Sequence, residues 1–172
     1  MTVNAYLDAL KMLARRELSE AQIRQRLARR EHAADDIDAA VERLRSERAI
    51  DDRRVAEAIA RTQSSIKRRG KLRIRREIEH AGISRATART VVDEIFADVD
   101  ADALLEQALA KRLRGHGKID GEKELNRLYR YLVGQGFEPD RVLAALRNHT
   151  NLNDREGTTK GTTSTKTIDR QD

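Results

Sequence analysis

With 172 residues, 37% of them charged and only 3% aromatic, the chain cannot wrap one thick apolar core, and short modules leaning on their neighbours suit it better. The formal net charge is +6 and Arg outnumbers Lys by 27 to 8. The guanidinium fork fits carboxylate and phosphate oxygens, so acidic protein surfaces and nucleic acid are the partners to expect. The absence of Cys excludes disulfides and thiolate metal sites, and no apolar run approaches the ~18 residues of a membrane span.

Helical periodicity runs along the chain from its start. Residues Met1 to Asp8 are neither basic nor followed by a signal-like apolar stretch, so a cytoplasmic protein is expected. Leu7, Leu10 and Leu13 predict a first helix with these leucines as its buried stripe. Ser19 and Gln22 have the spacing of a capping box and open a second helix ending near Arg30. Asp35 and Asp36 start a third, with Ile37, Val41 and Leu44 inward. Asp51 is a good cap for the next helix, which carries Val55, Ala58 and Ile59 and runs through Lys67, Arg68 and Arg69 to Gly70. A helix with Ile74 and Ile78 follows, broken at Gly82, and Ser84 caps its successor. The last third repeats the plan. A helix from about Ala101 carries Leu104, Leu105, Ala108 and Leu109. After a Gly-rich loop, Arg114 to Gly121, comes a helix with Leu125, Leu128 and Leu132. A break at Gly136 precedes a final helix, with Pro139 in its first turn.

These thirds are one repeat. Adding 51 to Ile23, Leu27, Ile37, Val41 and Leu44 gives Ile74, Ile78, Ala88, Val92 and Ile95; adding 54 more gives Leu128, Leu132, Val142, Leu146 and His149. Fourteen of the fifteen positions are apolar. The pattern predicts three modules, residues 1–52, 53–100 and 101–150, followed by a tail over 151–172 with little apolar content, expected to be disordered. The tail's four basic and four acidic residues cancel, so the net charge sits on residues 1–150. Arrays of this kind make extended surfaces for long partners instead of closed pockets for small ones.

The order of motifs resembles the bacterial RecX family, which modulates the recombinase RecA. In the first unit the matching residues are Ala9, Leu10, Leu13, Ala14, Arg15, Arg16, Glu17, Ser19, Ile23 and Leu27. The run Ile50, Asp51, Asp52, Arg53, Arg54, Val55, Ala56 is similar to the family's junction signature, with Val55 where an aromatic is usual. Gly70, Arg73, Ile74, Glu77, Ile78, Gly82 and Ile83 follow in the second unit. The third unit supplies Lys123, Arg130, Tyr131, Leu132, Gly136, Phe137, Asp140, Val142 and Leu146. Glu31 and His32 stand where the later units have Gly82–Ile83 and Gly136–Phe137, so the first turn is expected to differ from its siblings. The resemblance implies an all-α fold of three tandem three-helix modules in an elongated, curved array. It also implies a regulatory protein of DNA recombination, repair and the SOS response that binds the RecA–DNA filament. Binding would modulate, in the inhibitory direction, RecA ATPase, strand exchange and co-protease activity. No catalytic residue, cofactor or metal is implied.

The candidate contact residues are basic. Seven of the ten residues from Lys67 to Arg76 are cations: Lys67, Arg68, Arg69, Lys71, Arg73, Arg75 and Arg76. They are expected to meet DNA phosphate or acidic RecA surface, although Glu77 and Glu79 lie four residues from Arg73 and Arg75 and can pair with them. The repeat aligns Gln25 with Arg76 and Arg130, and Gln22 with Arg73 and Arg127, a polar-to-basic ladder. Arg29, with Arg24, Arg26 and Arg30, adds charge to the first unit, and the loop with Lys111, Arg112, Arg114, His116 and Lys118 is a second basic segment. Asp51 and Asp52 read as cap and first-turn residues and not as a metal pair. No two His residues have the i, i+4 spacing of a zinc helix. Single- or double-stranded DNA is a further expected partner through the basic face; membrane is not, and a monomer is expected. The competing reading is a stand-alone architectural DNA-binding protein of tandem helix-turn-helix type.

Overall fold

The computed structural model describes residues 4–113 and 118–150. The expected tail, 151–172, and Arg114 and His116 of the basic loop lie outside the described residues. Within them the chain forms nine α-helices in three sets of three. The first set is α1 (Ala5–Leu13), α2 (Glu20–Ala28) and α3 (Ala34–Ser46). The second is α4 (Asp52–Arg61), α5 (Lys71–His80) and α6 (Arg85–Ile95). The third is α7 (Ala101–Leu113), α8 (Gly121–Gly134) and α9 (Pro139–Asn148). A single β-bridge, Ile119 to Thr150, is the only extended pairing among the described residues.

Local signals place most boundaries. Ser19 Oγ accepts from the Gln22 amide at 3.1 Å while Gln22 Oε1 accepts from the Ser19 amide at 3.4 Å, closing the capping box. Asp51 Oδ1 takes the amides of Arg53 and Arg54 at 2.9 and 3.1 Å, and Ser84 Oγ takes the Thr87 amide at 3.1 Å. Asp35 and Asp36 fall in the first turn of α3 without capping it; Ala33 holds the cap position with no side-chain bond.

Of the fifteen repeat positions, thirteen are buried, and Ile95 and His149 are half-buried. Two expected stripes are corrected. Leu7 is 52% exposed, and α1 instead buries Ala5, Asp8, Ala9 and Met12, with Leu10 and Leu13 at the margin. In α4 the buried face is Val55, Ala56 and Ala60, and Ala58 faces solvent. Each helix places two alanines on its buried face, Ala5 and Ala9 in α1 and Ala56 and Ala60 in α4, beside one larger apolar residue, Met12 or Val55.

The three repeats make two cores. Module 1 has its own, from Ala5 to Ile50. Modules 2 and 3 share one, which runs from Val55 through Phe96, Leu105 and Phe137 to Leu146. The seam between these modules is glycine against glycine. The Gly70 amide donates to Gln135 O at 3.0 Å and the Leu72 amide to Gly136 O at 3.1 Å. A Cβ on Gly136 would lie 2.8 Å from Gly70 O and closer still to the backbone of Arg73.

The seam between modules 1 and 2 uses the same geometry. Ser19 and Ala81 stand at the repeat positions of Gly70 and Gln135, and Ser19 Oγ donates to Ala81 O. A Cβ on Gly82 would collide with that of Ala21. In each case the turn between the second and third helices of one module docks on the start of the second helix of the module before it. Asp52 Oδ1 reinforces the first seam by accepting the Glu20 amide at 2.9 Å, and Arg54 grips Glu17 with two bonds of 3.1 and 3.0 Å.

The first turn was expected to depart from its siblings, and it does not. Glu31 has φ 63°, beside 80° at Gly82 and 93° at Gly136. The hydrogen bonds match too: Glu31 to Ala28 O, Gly82 to Glu79 O and Gly136 to Val133 O, each at 2.9 Å. The left-handed residue carries a side chain only where no preceding module docks on the turn. Glycine is therefore demanded at 82 and 136 by the close approach of a neighbour as well as by φ.

Candidate functional site

The dense basic run is largely consumed inside the protein. Arg69 and Arg73 both reach Glu77, at 3.1 and 3.6 Å. Lys71 and Arg75 both reach Asp93, at 3.6 and 3.8 Å, and Lys71 also sits 5.5 Å above the Phe96 ring. Arg73 further donates to Gly134 O at 3.0 Å, which makes it a clamp on the seam between modules 2 and 3. Two carboxylates, Glu77 and Asp93, thus engage four cations, of which sequence spacing had paired only Arg73, with Glu77, and Arg75, with Glu79.

Lys67, Arg68 and Arg76 are left exposed and pair with no carboxylate among the described residues. Of the other ladder positions, Gln25, Arg127 and Arg130 are exposed, and Gln22 and Arg73 are half-buried. Arg127 pairs with Glu124 at 3.3 Å, and Arg130 donates to Asn126 O at 3.3 Å. Arg24, by contrast, is held between Glu20 and Asp38, whose hydrogen bonds raise its pKa, the Asp38 bond first. Burial pushes the Glu20 carboxyl up, but the bonds from Arg45 and Arg24 outweigh it and leave Glu20 below the usual carboxylate range.

Lys67 and Arg68 sit on an irregular piece of backbone that the sequence did not signal. After Arg61 the helix widens into a π-helical turn, Thr62–Ile66. Ser64 and Ser65 hydroxyls return to the carbonyl of Arg61 at 3.2 and 2.5 Å, and Arg68 takes a left-handed φ of 50°. The widened turn throws Ile66 outward to 75% exposure, the largest of any bulky apolar residue described. Widened turns of this kind recur at functional sites.

Ile66, Lys67 and Arg68 form one wall of a groove of about 360 Å³. The opposite wall is Gln107, Ala108 and Lys111 of α7, with Tyr131 and Gln135 of α8 at the end. Arg112 lies 4.3 Å over the Tyr131 ring. An exposed aliphatic anchor, an aromatic floor and a rim of cations are what an acidic protein surface with an apolar centre requires. Tyr131 and Phe137 therefore part company: Phe137 is core, at 5% exposure, whereas Tyr131 is half-buried and reaches the groove.

A second basic feature lies on module 1. Lys11, Arg15, Arg16, Arg26, Arg29 and Arg30 surround a notch of about 510 Å³ between the ends of α1 and α2. In the sequence Arg15 and Arg16 stand out only as residues of the family pattern; their approach to Arg26 and Arg29 depends on how α1 and α2 cross. No His, Asp and Glu cluster among the described residues could hold a metal ion, and no helix among them is long and apolar enough to cross a membrane.

Residues 5–44, 51–92 and 99–146 match the models of the first, second and third three-helix domains of RecX. Among similar proteins, the Regulatory protein RecX of Halorhodospira halophila is 33% identical over 138 residues, covering 80% of this chain and 83% of its own. Its counterparts from Chlorobium phaeobacteroides and Chromohalobacter salexigens are also 33% identical, covering 80% and 81% of this chain and 88% of their own. The crystal structure of RecX from Lactobacillus salivarius superposes with a TM-score of 0.69 at 21% identity, over 84% of this chain and 93% of that one. At that identity the likeness speaks for the fold.

Proposed function

The chain belongs to the RecX family of regulatory proteins, and on that premise we propose that it binds the RecA–DNA filament and slows it. The observation that carries this reading is the repeated seam. Each module docks on the one before it through the same turn, so the three form one elongated array. Such an array suits a partner that is itself a repeat, because it can touch more than one protomer at once.

The groove of Ile66, Lys67, Arg68 and Lys111 is the contact this reading assigns to the recombinase. Ile66 supplies the apolar anchor and the three cations supply complementarity to an acidic rim. Arg76, Arg127 and Arg130 extend the basic face. Arg69, Lys71, Arg73 and Arg75 support it from within, through Glu77, Asp93 and Gly134. Binding slows the filament only if it favours one state of the ATP cycle over another, since equal affinity for both shifts nothing. Inhibition of ATP hydrolysis, strand exchange and co-protease activity would follow from holding that state.

The test is single-stranded-DNA-dependent ATP hydrolysis by the cognate RecA, with the chain titrated in. Suppression at well below one chain per RecA is the expected result, and Ile66→Ser with Lys67→Gln should weaken it at least tenfold. Unchanged hydrolysis at a twofold excess of chain would refute the reading.

A further inference from the structure

The notch on module 1 is the largest unneutralised concentration of positive charge described. No carboxylate lines it, and of its six cations only Lys11 and Arg30 reach one, Asp8. Asp8 is already shared: Arg30 reaches it at 3.2 Å, Lys11 at 3.7 Å and His32 at 3.2 Å. Arg15, Arg16, Arg26 and Arg29 pair with no carboxylate among the described residues, whereas four of the seven cations of the 67–76 run do. Arg15 and Arg16 follow the C-terminal end of α1, and Arg26 and Arg29 close the last turn and cap of α2. Helix C-termini welcome cations. That explains each pair alone, but not why two helix ends converge their arginines on one notch. Burial and then the charges of Arg16 and Arg29 push the Arg26 guanidinium down from its ordinary value, the sign of a site wanting an anion.

We propose that this notch is a nucleic-acid site, in which Arg15, Arg16, Arg26 and Arg29 hold the phosphodiester backbone. Two features choose nucleic acid over an acidic protein. The only apolar lining residue is Met12, itself 7% exposed, and the exposed bulky apolar residues, Leu7, Ile66 and Leu143, all lie outside the lining. A protein partner would find no anchor there. Phosphates need none, because guanidinium forks bind their oxygens directly and the released counterions drive association. The lining also has no aromatic residue on which a base could stack, so the backbone is held and the sequence is not read.

The experiment uses the full chain, without recombinase, and fluorescein-labelled 30-nucleotide single strands and 30-base-pair duplexes in an anisotropy titration across salt. Replacing Arg15, Arg16, Arg26 and Arg29 together with Gln should lower affinity at least tenfold at 0.1 M salt. It should also flatten the slope of log K against log salt by about 0.7 per lost contact on single strands and about 0.9 on duplexes. Arg85→Gln with Arg147→Gln, two exposed cations outside the notch, should change affinity less than threefold. In the unaltered chain, bound oligonucleotide should protect the same four arginines from phenylglyoxal, read by mass spectrometry, which needs no variant to fold. A Gln variant with unchanged slope, or arginines left unprotected, would overturn the proposal. Equal affinity of the notch for poly-L-glutamate at matched charge would overturn the choice of nucleic acid. Because no recombinase is present, this result is separable from filament inhibition, and either can fail alone.

Discussion

Gly136→Ala asks whether the inter-module seam, and not the local turn, is what requires glycine. At φ 93° an added Cβ places an L-residue in the left-handed region, at about 1–2 kcal/mol. The same Cβ would lie 2.8 Å from Gly70 O and nearer still to Arg73, whose backbone begins α5 and cannot swing aside. Overpacking against fixed atoms costs about 1–3 kcal/mol. Opening the seam to relieve it strains the two bonds that close it, Gly70 amide to Gln135 O and Leu72 amide to Gly136 O, worth about 0.5–1.5 kcal/mol each. A loss of about 3–5 kcal/mol is expected, a large part of the ~5–15 kcal/mol of an ordinary domain. Modules 2 and 3 share one core, so the loss should fall on both while module 1 keeps its own. Urea unfolding followed by far-ultraviolet circular dichroism should show an early transition for roughly two thirds of the helix signal. The matched control is Glu31→Gly, at the same turn with nothing docked on it, expected to be neutral or stabilising by up to about 1 kcal/mol. A Gly136→Ala chain within about 1 kcal/mol of the parent would refute the claim that a neighbour's backbone dictates that residue.

Other perturbations bear on single contacts. Gly134→Ala fills open space at the end of α8, with nothing within 4 Å of the new Cβ, and should stabilise by about 0.5–1 kcal/mol, seen as a higher melting temperature. Asp52→Ala removes the acceptor that module 2 lends to the Glu20 amide; it should cost about 0.5–2 kcal/mol and speed hydrogen exchange at that amide, while Asp51→Ala should cost as much but leave that exchange unchanged. The hydrogen bond from His32, then that from Arg30, hold the buried Asp8 carboxyl below the usual carboxylate range against the upward push of burial. A depressed folded pKa means that the stability Asp8 adds is complete above its unfolded value near pH 4 and is lost as pH falls through the folded one. The stability difference between the parent and Asp8→Asn should therefore shrink on acidification below about pH 4, by urea titration at stepped pH. A difference that stays constant down to pH 2 would remove Asp8 from the acid response.

The fold was legible because its signals are local or periodic. Ile23, Ile74 and Leu128 repeat at fixed intervals, and Ser19, Asp51 and Ser84 cap helices with their own side chains, so both follow from neighbours in the chain. The α1 stripe failed for a related reason: Leu7, Leu10 and Leu13 have helical spacing, but so do Ala5, Ala9 and Met12, and only the packing of α1 on its neighbours selects which set is buried. The site was less legible. A run such as Lys67 to Arg76 advertises charge, yet charge is cancelled by whatever carboxylates folding brings near, here Asp93 from the next helix. Sequence alone determined the three-helix repeat, its register and its excess of arginine, because backbone periodicity and composition do not depend on distant contacts. Tertiary structure alone decided which arginines stay unpaired, why Glu31 is allowed where Gly82 and Gly136 are required, and that three repeats share two cores. Those outcomes depend on how close residues far apart in the chain come to one another, and backbone contact and Coulomb energy both change steeply over a few ångströms.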